Sequence, residues 1–175
     1  KNSFETSEII FTTNNKSMSV FKDKPVMLKS FINGSIMTDL PNHLLEEIGK
    51  DTATLHNIKP PDFLREIMWC GIERFSEVEQ YALNSSFDLW LKRTSIYINN
   101  HITSDLPKAF IHSDIFASNI IVNDKKSKAT IMDFEEASYY YRLFDIAILI
   151  ISLCSRDENI DFLRAIKNKK YPFYR

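Results

Sequence analysis

Short runs of β-branched and aromatic residues open the chain, over residues 8–13, 17–21 and 26–31, with polar turns at Asn14-Asn15 and Asp23-Lys24-Pro25. This pattern predicts three short strands. Asn33-Gly34-Ser35 then breaks it as a hinge, and Gly34 can take backbone angles that other residues avoid. The period changes next. Leu44, Leu45, Ile48, Thr52 and Leu55 share one face of a helix over 41–57, and Pro60-Pro61 stops what precedes it. Two further helices are predicted over 76–83 and 86–99, or one broken at Asn84-Ser85-Ser86. Phe87, Trp90, Leu91, Thr94 and Ile98 form the apolar stripe of the second. Residues 108–111, 119–122 and 129–132 read as strands, the last two joined by a polar turn at 124–127. Helices over 140–154 and 158–167 complete an α+β order of strands, helices, hairpins and helices.

The hairpin carries the chemistry. In Ile111-His112-Ser113-Asp114-Ile115-Phe116-Ala117-Ser118-Asn119, an acid stands five residues before an amide, and Asp133 follows fourteen residues beyond that amide. Phosphoryl transfer uses a carboxylate to orient and deprotonate a hydroxyl, with an Asn and an Asp to hold magnesium across the nucleotide phosphates. The spacing is that of His-x-Asp-x4-Asn followed by Asp-Phe-Gly, with Glu135 in place of the glycine. A hairpin of residues 119–132 would bring Asn119 and Asp133 to one end of neighbouring strands. Asp114 is therefore the candidate general base, and Asn119 and Asp133 the candidate ligands of Mg2+, with ATP as phosphoryl donor. Asp114 and Asn119 taken alone read as turn chemistry, and the joint spacing lifts them above it, whereas Asp133 stands out by itself as an acid ending an apolar strand, where an unpaired buried carboxylate is costly. His112 reads as a shaper of this loop. His43, His56 and His101 show no partner pattern and read as structural.

Residues 111–147 resemble the catalytic segment of the aminoglycoside phosphotransferase and choline kinase superfamily, small-molecule kinases of protein-kinase-like fold. Phe144-Asp145-Ile146-Ala147 extends the resemblance, as do Phe31-Ile32-Asn33-Gly34 and Gly49-x5-Leu55-His56 upstream. The resemblance implies that Asp145 ties its helix to the catalytic loop. It implies a small β lobe ending with residues 1–33, then a carboxy-terminal catalytic lobe over 34–175, both incomplete. Residues 31–55 and the run Ile111-His112-Ser113-Asp114-Ile115-Phe116 look most like bacterial homoserine kinases of this fold. Tyr139-Tyr140-Tyr141-Arg142 leans towards choline and ethanolamine kinases, although aromatic runs more often mark packing. An aminoglycoside or sugar acceptor, or a non-catalytic nucleotide-binding pseudokinase, is the alternative. Arg142 is a candidate anchor for a homoserine carboxylate. The expected partners are a small hydroxylated substrate, a nucleotide, and the remainder of the small lobe of the same protein.

Composition narrows these readings. A net charge of −1 offers no field for nucleic acid or an anionic membrane, and the lysines at 125, 126 and 128 and at 167, 169 and 170 read as solvated faces. The apolar run 147–151 is too short to span a bilayer. Cys70 and Cys154, far apart and without metal-ligand spacing, read as reduced, buried thiols of a cytoplasmic protein. The three glycines, Gly34, Gly49 and Gly71, make no Gly-rich loop, and no nucleotide-clamping lysine strand appears. The chain by itself is accordingly expected to be nearly inactive.

Overall fold

Residues 4–75, 77 and 85–154 are described by the structure, a computed structural model. The helices predicted over 76–83 (Glu77 apart) and 158–167 lie outside them, as do Lys167, Lys169 and Lys170.

Two antiparallel ribbons open the fold. Strand β1 (Ile9–Ile10) pairs with β4 (Leu28–Lys29), and β2 (Ser19–Phe21) pairs with β3 (Lys24–Val26). The turn at 23–25 shifts to Lys22-Asp23, whose φ angles of 50° and 59° suit a tight hairpin following the strand twist. Lys24 and Pro25 therefore belong to the strand, where a proline is tolerated because a two-stranded ribbon has open edges. The strand predicted over 26–31 divides at Met27 between β3 and β4.

The chain then crosses to the catalytic hairpin. Strand β5 (Ser35–Ile36) pairs with β7 (Ile120–Val122), and β7 pairs with β8 (Ala129–Ile131). Gly34 has φ +147°, and a Cβ there would stand 2.2 Å from the Val122 carbonyl oxygen. No side chain fits, so glycine permits the strand to close on the hairpin. Helix α1 (Asn42–His56) packs Leu44, Leu45 and Ile48 beneath Ile120, Val122, Ala129 and Ile131. Burying these side chains favours the fold by about 1.5–3 kcal/mol each and makes the hairpin a rigid platform.

Three expectations change. Residues 138–141 form a strand, β9 (Ser138–Tyr141), paired with β6 (Lys108–Ile111), and helix α3 (Arg142–Leu149) starts only after it, running into a wide π turn at Ile150–Cys154. Three successive tyrosines suit a pleated surface, and pairing with them satisfies the backbone of β6. Helix α2 (Ser86–His101), capped by Ser85 Oγ accepting from the Asp88 amide at 3.0 Å, buries Asp88 and Leu91, whereas Phe87 and Trp90 are 50% and 55% exposed. The buried edge thus includes an acid, which Lys92 meets at 2.9 Å. Cys70 is exposed and only Cys154 is buried. Met68 takes the core position in that irregular segment, against Ile111 and Tyr140.

Candidate active site

Strand β6 delivers the chain to Ile111, where it leaves the sheet through His112, Ser113 and Asp114. Ser113 has φ +73°, a left-handed conformation uncommon for a residue with a side chain. Such strain persists only where surrounding contacts over-determine it, and they are visible here. Asp145, fully buried at the start of α3, accepts the His112 amide at 2.9 Å on Oδ2 and the Ser113 amide at 2.8 Å on Oδ1. The tie from helix to loop implied by the family resemblance is present. His56, at the last turn of α1, meets the same Oδ2 with its Nε2 at 2.9 Å. The sequence pattern had offered His56 no partner.

His112 shapes the loop from below. Its Nε2 lies 2.9 Å from the Met132 carbonyl oxygen, and its Nδ1 lies 3.2 Å from the Asp114 amide nitrogen. A carbonyl only accepts and an amide N–H only donates, so the ring is neutral with its proton on Nε2. Burial pushes the imidazole below its ordinary value of 6.5, outweighing the Met132 hydrogen bond and the carboxylates of Asp145, Asp114 and Asp133. The unfolded chain therefore binds a proton that the folded ring resists, and this contribution to stability, full above about pH 6.5, declines as pH falls below it. Unfolding midpoints in urea should drop between about pH 6.5 and 5 in the wild type, and less steeply in His112→Gln. Parallel pH profiles for the two proteins would contradict this assignment.

Asn119 ends a short 3₁₀ turn (Ala117–Asn119) and is 9% exposed. Its Nδ2 donates to the Asp114 backbone oxygen at 2.8 Å and to Asp114 Oδ2 at 2.7 Å. One carboxylate oxygen of half-buried Asp114 is thereby fixed, and the amide oxygen of Asn119 is turned away from that contact. The Met132 amide donates to the Asn119 carbonyl oxygen at 2.9 Å, and Ile120 faces Ile131 across the ladder. Asn119 and Asp133 accordingly sit at the same end of β7 and β8, as the hairpin reading required. Asp133 is exposed and has φ +68°.

Asp133 also lines a cleft of about 570 Å³ between the 29–36 segment and the hairpin. Ile36, Ile121 and Met132 supply apolar walls, and Phe31 beside them is 84% exposed. The sequence reading assigned none of these. A signal existed in β7, where Ile120 and Val122 are buried and Ile121 between them faces the other way. The cleft lies in the size range of small-ligand sites.

Arg142 and the tyrosines make contacts of their own, although Arg142 Nε is buried without a hydrogen-bond partner among the described residues. The Arg142 guanidinium reaches the His56 carbonyl oxygen at 3.5 Å. Tyr140 is buried, and its hydroxyl donates to Glu73 at 3.1 Å; burial and that carboxylate push the phenol well above its ordinary range. Tyr141 lies edge-on to Tyr140 with Lys108 5.0 Å from its ring centre. These aromatics pack as core, the more common role of such runs.

The arrangement suits a hard cation. Among the described residues no three His, Cys, Asp or Glu side chains cluster to hold a metal by themselves. Asn119 and Asp133 offer oxygen atoms only, which fits magnesium, an ion commonly held by one or two protein groups together with water and phosphate oxygens.

The fold is the protein-kinase-like one. The chain belongs to the phosphotransferase enzyme family, whose profile matches residues 13–171. It is 25% identical over 146 residues to a homoserine kinase of Rhizobium meliloti, covering 79% of this chain and 44% of that protein. It is 26% identical over 136 residues to a probable ethanolamine kinase of Arabidopsis thaliana, covering 69% of this chain and 36% of that one. The fold is shared with an amicoumacin kinase solved with AMP-PNP and Ca2+, with a TM-score of 0.68 at 14% identity over 95% of this chain and 55% of that one. The chain thus spans less than half the length of the curated relatives and about half that of the solved structure. Among the described residues no helix is long and apolar enough to cross a membrane.

Proposed function

We propose that these residues transfer the γ-phosphoryl group of ATP to the hydroxyl of a compact amino-alcohol, of the homoserine or choline and ethanolamine kind. The observation that carries this reading is the Asp114 carboxylate, held through one oxygen by Asn119 at 2.7 Å, with Asn119 and Asp133 at the same end of the β7–β8 hairpin. The acceptor oxygen attacks the γ-phosphorus, the bond to the ADP oxygen breaks, and the hydroxyl proton passes to Asp114. Asn119 and Asp133 would hold magnesium, which when bound would neutralise charge on the phosphates. Residues 1–33 belong to the small lobe and 34–175 to the catalytic lobe. Catalysis by such a site is chiefly positioning and charge stabilisation.

Homoserine, ethanolamine and choline kinases among the relatives support the amino-alcohol. Residues 76–100 also carry only Glu77, Glu79 and Asp88 as acids, too few to meet a polycationic aminoglycoside, although Glu79 is outside the described residues. ADP release by the full-length gene product should be measured with homoserine, choline, ethanolamine, kanamycin and glucose. Turnover is expected with at least one amino-alcohol. Turnover with kanamycin and none of them would overturn the substrate reading, and nucleotide binding without any turnover would point to a pseudokinase.

A further inference from the structure

We infer that Arg65 and Glu136 determine acceptor specificity, and that the acceptor they select is an α-amino acid bearing a side-chain hydroxyl. This rests on the phosphotransfer reading of Asp114. The irregular segment between α1 and α2 is pinned beside the loop that carries Asp114. The Tyr139 amide donates to the Arg65 carbonyl oxygen at 2.7 Å, and Met68 packs on Ile111, where that loop begins. Residues 135–138 pass the same loop, with Ile111 facing Ser138 and Ser113 Oγ within 3.0 Å of Ser138 Oγ. Cys70, exposed in the irregular segment, lies within reach of both acids. Its thiol is held above its ordinary range first by loss of hydration and then by the Glu136 and Asp114 carboxylates. Glu136, Arg65 and Asp114 therefore share one neighbourhood.

The two charges are placed together without satisfying each other. Arg65 Nη2 donates to the Glu135 carbonyl oxygen at 3.0 Å, which fixes the guanidinium while the side chain stays 60% exposed. Glu136 Oε2 stands 3.9 Å from that nitrogen, within ion-pair range but beyond a hydrogen bond. That oxygen is buried and has no hydrogen-bond partner among the described residues, although the Glu136 side chain as a whole is 32% exposed. A buried acceptor left open calls for an explanation, and an exposed ion pair contributes too little stability to supply one. A zwitterion would complete both groups, its carboxylate on the fork of Arg65 and its ammonium on Glu136. A hydroxyl on a short carbon arm from that charged head would then face Asp114. Choline and ethanolamine carry no carboxylate and would leave Arg65 unmet beside their own cation.

The test gives the full-length gene product L-homoserine, homoserine amide (the same molecule without the carboxylate charge) and ethanolamine. Wild type should prefer homoserine to both in kcat/KM. Arg65→Ala should lower kcat/KM for homoserine by about tenfold to a hundredfold relative to the amide, through the acceptor KM, with the nucleotide KM within about twofold of wild type. Glu136→Gln should lower homoserine and its amide alike, since both keep the ammonium. Thermal melts set the folded fraction, and if Arg65→Ala does not fold, Arg65→Lys, which keeps the charge but not the fork, takes its place. Better turnover of ethanolamine or choline than of homoserine, or equal losses on homoserine and its amide in the Arg65 variant, would overturn the inference and leave phosphotransfer standing. Calorimetric titration of homoserine reads the site without turnover. Binding that Arg65→Ala weakens, in a protein that phosphorylates no acceptor, would defeat the phosphotransfer reading and uphold the zwitterion site. Neither binding nor turnover of homoserine would defeat the site.

Discussion

Asp114→Asn is expected to lower kcat by about 10²–10⁴-fold while leaving nucleotide affinity in the presence of magnesium within a few-fold of wild type. The amide keeps the size and polarity of the carboxylate, so the loop has no steric reason to move. It removes the proton acceptor. Asn119 Nδ2 now donates to Asp114 Oδ2 and to its backbone oxygen, and an amide at position 114 can present its oxygen to the same donor. The backbone hydrogen bonds of the loop, to Asp145 from His112 and Ser113, do not involve the substituted side chain. The loss should therefore be one of chemistry rather than folding. Steady-state rates with the accepted alcohol, together with calorimetric titration of nucleotide, check it. A variant that turns over at more than about a tenth of the wild-type rate would remove Asp114 from the role of base.

What could be read from the amino-acid sequence was governed by distance along the chain. The β7–β8 hairpin closes locally, its inner residues are apolar, and its turn at 124–127 is polar, so the proximity of Asn119 and Asp133 followed from spacing alone. Helix α1 likewise carries its apolar face in its own period, and its observed limits, Asn42–His56, lie one residue inside those expected. The His56–Asp145 contact joins residues 89 positions apart and leaves no periodic trace. Only burial of both groups explains their pairing, since a buried polar group without a partner is costly.

The segment 138–141 failed for a different reason. Tyrosines adjoining an apolar helix extend its hydrophobic pattern, and nothing local marks where the period changes. The preference for strand is decided by β6, whose Lys108 to Ile111 face Tyr141 to Ser138 and lie about thirty residues upstream. Helix α2 shows the converse. Its sequence stripe is apolar, but packing selects the neighbouring edge with Asp88 and Leu91, leaving Phe87 and Trp90 stacked on each other with centroids 5.7 Å apart.

Asp133→Asn should fail in another way from Asp114→Asn, weakening magnesium-dependent nucleotide binding by about tenfold to a hundredfold as well as lowering turnover. That scale corresponds to losing one contact to a charged group, roughly 1.5–3 kcal/mol. The backbone gives no competing explanation, because asparagine tolerates the left-handed angle of +68° at this position much as aspartate does. The side chain is exposed on the cleft wall, so no buried partner is orphaned by the change. What is lost is a formal negative charge and one of two equivalent oxygens at the proposed metal position. Asn119→Ala should combine both defects, since the same side chain fixes Asp114 at 2.7 Å and offers an oxygen at the end of β7 beside Asp133. Titrating nucleotide with and without magnesium separates the cases. The wild type and Asp114→Asn should respond strongly to the ion, and Asp133→Asn and Asn119→Ala weakly. If Asp133→Asn kept the full magnesium response while Asp114→Asn abolished nucleotide binding, the roles assigned to the two acids would be wrong.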